Sequence, residues 1–212
     1  EAAILAAKRG AAQIAEIDVD SAYDAILCGV ERRSAAVRDD ERRLTAAHEA
    51  GHALATALLL PESRIRRVTI VPSSKGAAGY SLSIQPERLF HSRQELLSHI
   101  AVALAGRAAE EIAFGRDAVT TGASNDLEKA AALAQRMVCE WGMYPDGATL
   151  YAFSQTKRES AAQQWLQLGD QLARQTLAAH RGAWDRLTRL LLEREAIGEE
   201  EALGCLRGEQ TA

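Results

Sequence analysis

Thr45-Ala46-Ala47-His48-Glu49-Ala50-Gly51-His52-Ala53-Leu54 is the stretch on which both the fold and the chemistry of this chain turn. Residues four apart on a helix stand on one face, a single turn from each other, so both imidazoles reach one metal ion. Zinc takes neutral imidazole nitrogen readily, and with three protein ligands it keeps a fourth position for water. Glu49 follows His48 directly and projects to the side, toward such a water rather than toward the metal. A zinc-bound water has its pKa lowered from about 16 to about 7, and a neighbouring carboxylate takes its proton as it attacks a carbonyl. By chance the pattern is expected only about 0.01 times in a chain of this composition. Two partly buried histidines with ordinary hydrogen bonds, or a closed structural zinc site, would leave Glu49 without a task.

Working outward, a helix is signalled from about Asp40 to Leu60, with Asp39 or Asp40 as cap, Pro61 as stop, and Leu44, Ala47, Leu54 and Leu58 as apolar neighbours. The alternating, β-branched runs Arg67 to Val71 and Tyr80 to Ile84 predict two short strands, with the flexible loop Ser-Ser-Lys-Gly-Ala-Ala-Gly between them. Ser92-x-x-Glu95 is a capping box that opens a long helix to Phe114, stopped by Gly115. The turn Thr120 to Asn125 leads into a helix from Asp126 to Trp141, ended by Gly142. Residues 143–158 are irregular. Glu159 to Arg194 reads as one long helix with Gly169 and Gly182 as weak points, and a short helix follows Gly198. Upstream, an alanine-rich helix over residues 1–17 breaks near Gly10, a second is capped by Asp18-Val19-Asp20-Ser21 and ends at Gly29, and residues 30–40 read as a charged linker. The fold class is mainly α with one small β-hairpin or sheet.

Composition agrees with a globular chain: 47% hydrophobic and 25% charged residues among 212, with a net charge of −4 that argues against nucleic acid as a partner. The arginines at 32–33, 42–43 and 64, 66 and 67 read as solvated faces, the first two groups with acids beside them. No run of about 18 apolar residues is present, and the first residues lack the pattern of a secretory signal. Cys28, Cys139 and Cys205 form neither a zinc knuckle nor a disulfide framework, which favours a reducing compartment.

The third metal ligand is not fixed by residue physics. His91, His99 and His180 each stand alone in sequence and read as surface or core residues. Glu110, Glu111 and Asp126 compete: the glutamates suit a solvated helix face, and Asp126 suits a first helical turn, where the macrodipole favours an acid.

These residues resemble the FtsH family, membrane-anchored AAA+ zinc proteases, over nearly the whole chain. The likeness rests on the helix Thr45 to Ala57, on Arg67-Val68-Thr69-Ile70-Val71-Pro72 with Gly79-Tyr80, on Leu104-Ala105-Gly106-Arg107-Ala108-Ala109-Glu110-Glu111, and on Thr120-Thr121-Gly122-Ala123-Ser124-Asn125-Asp126-Leu127 continued by Met137 to Gly142. The resemblance implies that Asp126 completes the zinc site with His48 and His52, that Glu49 is the general base, and that Glu110 and Glu111 have supporting roles. Glu1 to Gly10 and Asp18 to Ser34 are similar to the last helices of the ATPase lid, so the expected division is 1–33 as the C-terminal part of an AAA+ lid and 34–212 as a zinc peptidase domain.

No G-x-x-x-x-G-K-[ST] loop is present, so this stretch is not expected to bind ATP itself. The expectation is a zinc endopeptidase acting on unfolded polypeptide, part of an ATP-dependent complex. As the resemblance implies, its parent would be a homohexamer fed by an AAA+ module of the same polypeptide, at the cytoplasmic face of an inner membrane or its organelle equivalent. The chain itself reads as a soluble fragment. One of the two strands is expected to offer a sheet edge to extended substrate. The rival reading is an inactive, ring-forming scaffold, which has no reason to keep His48, Glu49, His52 and Asp126 together.

Overall fold

The fold is built around two long helices that cross where both are lined with small residues. In the computed structural model, which describes residues 1–32, 36–147 and 154–208, α1 (Ala2–Lys8) and α2 (Glu16–Cys28) precede α3 (Asp39–Leu59), the motif helix. There follow β1 (Arg64–Thr69), β2 (Tyr80–Ile84), α4 (Arg93–Phe114) and α5 (Ser124–Cys139). The chain closes with α6 (Gln155–Ala179), α7 (Arg181–Arg194), β3 (Ala196–Ile197) and α8 (Glu199–Arg207). The mainly α reading with one small sheet is borne out.

Helix α4 is the divider between two apolar clusters. On one side Ala101, Ala105, Ala108 and Ala109 pack with Ala46, Ala50 and Leu54 of α3, Leu177 of α6, Trp184, Leu187 and Leu191 of α7, and the sheet. On the other, Leu96, Ile100 and Leu104 pack with Ala130, Ala134 and Met137 of α5 and Trp165 of α6. Trp184 also donates its indole N–H to the Ala47 carbonyl at 3.0 Å, which fixes α7 against the turn that precedes His48.

The sheet is antiparallel in the order β2-β1-β3. Strand β1 pairs with β2 from Arg64↔Ile84 to Thr69↔Tyr80, and with the short β3 at Val68↔Ile197 and Thr69↔Ala196. It starts three residues before the sequence reading placed it and ends two earlier. No pattern marks β3, because its formation depends on a turn: Glu195 adopts φ +63°, and its carbonyl accepts from Ile70 N at 2.9 Å. The expectation that either strand offers an edge resolves to β2, since β1 is covered on both sides at its C-terminal end.

Several boundaries differ from the sequence expectation for identifiable reasons. Helix α3 starts at Asp39, so the acids fill its first turn instead of capping it, and Glu41 receives the Arg38 N–H at 3.2 Å. Helix α2 likewise begins before its expected caps, with Asp18 accepting from Ala15 N at 2.8 Å and from Arg9 at 2.7 Å. Helix α5 starts and ends two residues early. The long helix read from Glu159 to Arg194 is two helices that part at His180, not at either glycine. Gly169 is a contact point: a Cβ there would stand 2.4 Å from Ile100 Cγ2 on α4.

The start of the supposed linker is tied down as well, with Glu31 bridged to Ser73 and Arg32 N donating to Pro72 O at 2.7 Å. Arg66 holds Asp20 and Asp24 of α2, each at 2.8 Å, and Lys75 Nζ reaches the carbonyls of Ile26 and Leu27 at 2.8 and 2.9 Å, a cation at a helix C-terminus. The expected domain boundary after residue 33 lies outside the described residues. Among those described, no helix is long and apolar enough to cross a membrane, and Cys28, Cys139 and Cys205 are unpaired.

Gly169→Ala tests the α4–α6 contact. Helix propensity favours alanine by about 1 kcal/mol, but overpacking costs about 1–3 kcal/mol, and a branched Ile100 methyl cannot swing away. The expected result is a lower urea midpoint with an unchanged slope, and in the double variant with Ile100→Ala a total loss smaller than the sum of the two single losses.

Candidate active site

His48, Glu49 and His52 lie in the middle of α3, where the helix is buried, and the chain opposite them is made of glycine and alanine. Gly51 allows the close approach, since a Cβ there would meet Ala109 Cβ at 2.8 Å and Ala105 O at 2.9 Å. Gly106 clears the space in front of the imidazoles: a Cβ would stand 2.4 Å from Nε2 of both His48 and His52. Gly79, at the entrance to β2, passes so close over the motif that a Cβ would lie 3.1 Å from Glu49 Cγ.

Each imidazole is oriented through its Nδ1. His52 Nδ1 lies 2.8 Å from the Val102 carbonyl, which can only accept, so Nδ1 carries the hydrogen and Nε2 of the neutral ring presents a lone pair. His48 Nδ1 lies 2.6 Å from Glu110 Oε1. Glu110 is itself fixed by Thr120, whose backbone N–H and hydroxyl donate to Oε2 at 2.9 and 3.2 Å. The two Nε2 atoms are only 3.0 Å apart, and Asp126 Oδ2, from the first turn of α5, is 3.6 Å from that of His48 and 3.3 Å from that of His52.

This cluster is short of positive charge. Against the opposing effect of burial, Asp126 and Glu110 push His48 up to about 10, and the two imidazoles hold Asp126 well below the usual carboxylate range. Glu49 behaves differently. It is buried, and burial raises its carboxyl despite the nearby histidines, which suits a group that must accept a proton. With their donor atoms all within 4.8 Å of one another, His48, His52 and Asp126 form a group able to hold a metal ion. Two imidazoles and one carboxylate, with their donor atoms converging on one point, fit zinc.

The structure separates the competing carboxylates. Glu110 faces the rear of His48, and Glu111 points away to Arg116 and Arg174 at 2.9 and 2.6 Å. His180 sits at the junction of α6 and α7, whereas His91 and His99 lie together near the cleft rather than alone. Sequence reasoning missed the Val102 carbonyl and the clearance at Gly106. The second carried a signal, a glycine at mid-helix among alanines, where glycine costs about 1 kcal/mol and therefore needs a packing reason.

The four residues open onto a cleft of about 1530 Å³, whose wall includes Tyr80, Ser81 and Ser83 of the edge strand β2. Two histidines a turn apart, a carboxylate brought in by a second helix and a buried glutamate beside them belong to a helical metallopeptidase. Residues 35–167, more than half of the chain, match the sequence model described as Peptidase family M41, and the chain belongs to that family.

Its relatives include the ATP-dependent zinc metalloprotease FtsH of Thermus thermophilus, 40% identical over 226 residues that cover 98% of this chain and 36% of the relative. FtsH 1 of Alkaliphilus metalliredigens is 45% identical over 144 residues, covering 68% of this chain and 24% of the relative. FtsH 3 of Synechocystis is 37% identical over 227 residues, 95% of this chain and 36% of the relative. The chain thus spans about a quarter to a third of the length of these relatives.

Gly106→Ala is expected to lose the zinc ion held in front of His48 and His52, read as one fewer ion per desalted chain, while circular dichroism stays unchanged, because the added methyl fills the space in front of both imidazoles. Glu110→Gln should lower zinc affinity by about 10–100-fold through loss of the His48 anchor, and Glu111→Gln should leave it unaltered.

Proposed function

We propose that this chain is the peptidase part of an ATP-dependent protease, a zinc endopeptidase that cuts unfolded polypeptide. In this reading His48, His52 and Asp126 are the zinc ligands, Glu49 is the general base, and Glu110 is a positioning residue behind His48. Zinc bound there would polarise a peptide carbonyl and lower the pKa of a water in the same place. Glu49, held in a dry position beside the imidazoles, takes the proton from the attacking water and returns it to the leaving amine. The observation that carries the reading is the convergence of two imidazole nitrogens and one carboxylate oxygen from α3 and α5, with Glu49 on the same cleft wall. An inactive scaffold would have no use for that set.

Substrate is laid along β2. Its free edge borders the cleft, and backbone pairing there holds an extended chain without demanding particular side chains. A folded domain does not present such a stretch, because opening it costs about 5–15 kcal/mol. That work falls to an AAA+ module of the same polypeptide, of which residues 1–33 are the C-terminal lid part. Exposed Ile4, Ile17, Val19, Ile26 and Val30 on and beside α1 and α2 support this, since they are the kind of surface a larger helical lid would cover. The names of the relatives support the ATP-dependence, and what the sequence resemblance implies for the parent is a homohexamer at the cytoplasmic face of an inner membrane or its organelle equivalent.

Glu49→Gln is expected to keep zinc bound while hydrolysis of a flexible fluorogenic peptide falls by about 10²–10⁴-fold. Loss of zinc equal to that in His48→Ala would make Glu49 structural and refute its role. Asp126→Asn should reduce metal content and hydrolysis together. The unaltered chain should cut flexible peptides, stop on addition of a zinc chelator, and leave a stably folded protein intact with or without ATP.

A further inference from the structure

Away from His48 and His52, three more donor residues meet at the start of α4. His91 precedes the capping Ser92, Glu95 lies in the first turn of α4, and His99 is one turn on, on the same face of the helix as Glu95. Their donor atoms all lie within 4.8 Å of one another. His91 Nδ1 is 2.9 Å from Glu95 Oε1, the rings of His91 and His99 stand edge to face with centroids 6.1 Å apart, and the Gln85 side-chain amide approaches His99 Nδ1 at 3.4 Å.

We propose that His91, Glu95 and His99 form a second metal site, for a zinc ion, on the wall of the active-site cleft. Two imidazoles and a carboxylate suit zinc; magnesium and calcium require mostly oxygen donors. The arrangement is preset, because Ser92 Oγ accepts the Glu95 N–H at 3.1 Å and so fixes the first turn of α4 that carries Glu95. The nearest competing cation, Arg88, is 3.8 Å from Glu95 and is already engaged by Glu62. All three residues are reachable from solvent: His91 is exposed, and Glu95 and His99 are partly so.

The site's position gives it a task. His91 and His99 line the same cleft as His48 and Glu49, and the segment between Ile84 and Ser92 joins the edge strand β2 to α4. That segment carries Leu89 and Phe90 fully out in solvent, so packing does little to hold it. An ion bound across His91, Glu95 and His99 ties the end of the segment to the first two turns of α4. It thereby sets the height of the cleft wall beside the edge on which substrate is proposed to lie. The metal site itself does not depend on that reading of function.

The test is a zinc titration of the chelator-stripped chain, followed by isothermal calorimetry and by metal analysis after desalting. The unaltered chain is expected to take up one more zinc ion than His91→Ala, Glu95→Gln or His99→Ala, with magnesium failing to substitute. His48→Ala should lose the other ion and keep this one. Hydrogen exchange over residues 85–91 should slow on zinc addition in the unaltered chain and in His48→Ala, but not in His99→Ala. Equal zinc content in the unaltered chain and in His91→Ala would overturn the proposal and leave an ordinary histidine–glutamate pair. His91 is exposed, so its replacement does not endanger folding.

Discussion

The close crossing of α3 and α4 is the constraint from which the rest of the structure follows. At Gly51 and Gly106 the helices come nearer than any side chain would allow, and alanines at 105 and 109 line the remainder of the contact. Such a contact buries little apolar area per residue, so its support has to come from elsewhere. Trp184 and Leu187 back α3 from behind, Ile100 and Trp165 anchor α4 on its far side, and the sheet covers one end. In return, the crossing sets two imidazoles from one helix against a bare stretch of another, leaving a space of atomic size in front of them.

Orientation of the imidazoles is then a matter of hydrogen bonds that reach past them. Val102 O and Glu110 take the two Nδ1 positions, both from α4, so the helix that leaves the space in front of the imidazoles also turns their Nε2 atoms toward it. Thr120 extends the chain of contacts to the segment that delivers Asp126. Charge completes the arrangement: proton affinity is raised at both His48 and Glu49, by the two carboxylates gathered about the imidazole and by burial at the glutamate. The same helix therefore carries, one residue apart, two groups raised for different reasons, one by neighbouring charge and one by burial.

Much of this was legible in the sequence, and the reasons are physical. Helix period and local capping revealed α3, α4 and α8, because those signals lie within a few residues of the ends they mark. Ser92 and Glu95 did cap α4 as the spacing implied. What escaped depends on partners distant in the chain. β3 exists because Glu195 turns its carbonyl toward Ile70, and the helix break at His180 has no glycine or proline to announce it. Gly169 read as weakness because propensity counts only the helix's own backbone, whereas its value lies in admitting Ile100. At the site, the spacing of His48, Glu49 and His52 spoke for itself, but the choice among Glu110, Glu111 and Asp126 could not be made without the family likeness. Three acids of one chemical type are separated only by where the helices point them.

The donor from α5 has a consequence for the life history of the polypeptide. Helix α5 belongs to the apolar cluster on the far side of α4 from α3, so His48 and His52 are drawn from one half of the domain and Asp126 from the other. During synthesis the histidine pair emerges long before residue 126, at a time when the nascent chain is itself an unfolded polypeptide. With Asp126 as third ligand, the pair alone offers an ion too few partners to retain it, and full affinity appears only once both halves have closed around α4. Assembly of the domain and arming of the site are then one event, and a newborn copy is not equipped to digest itself.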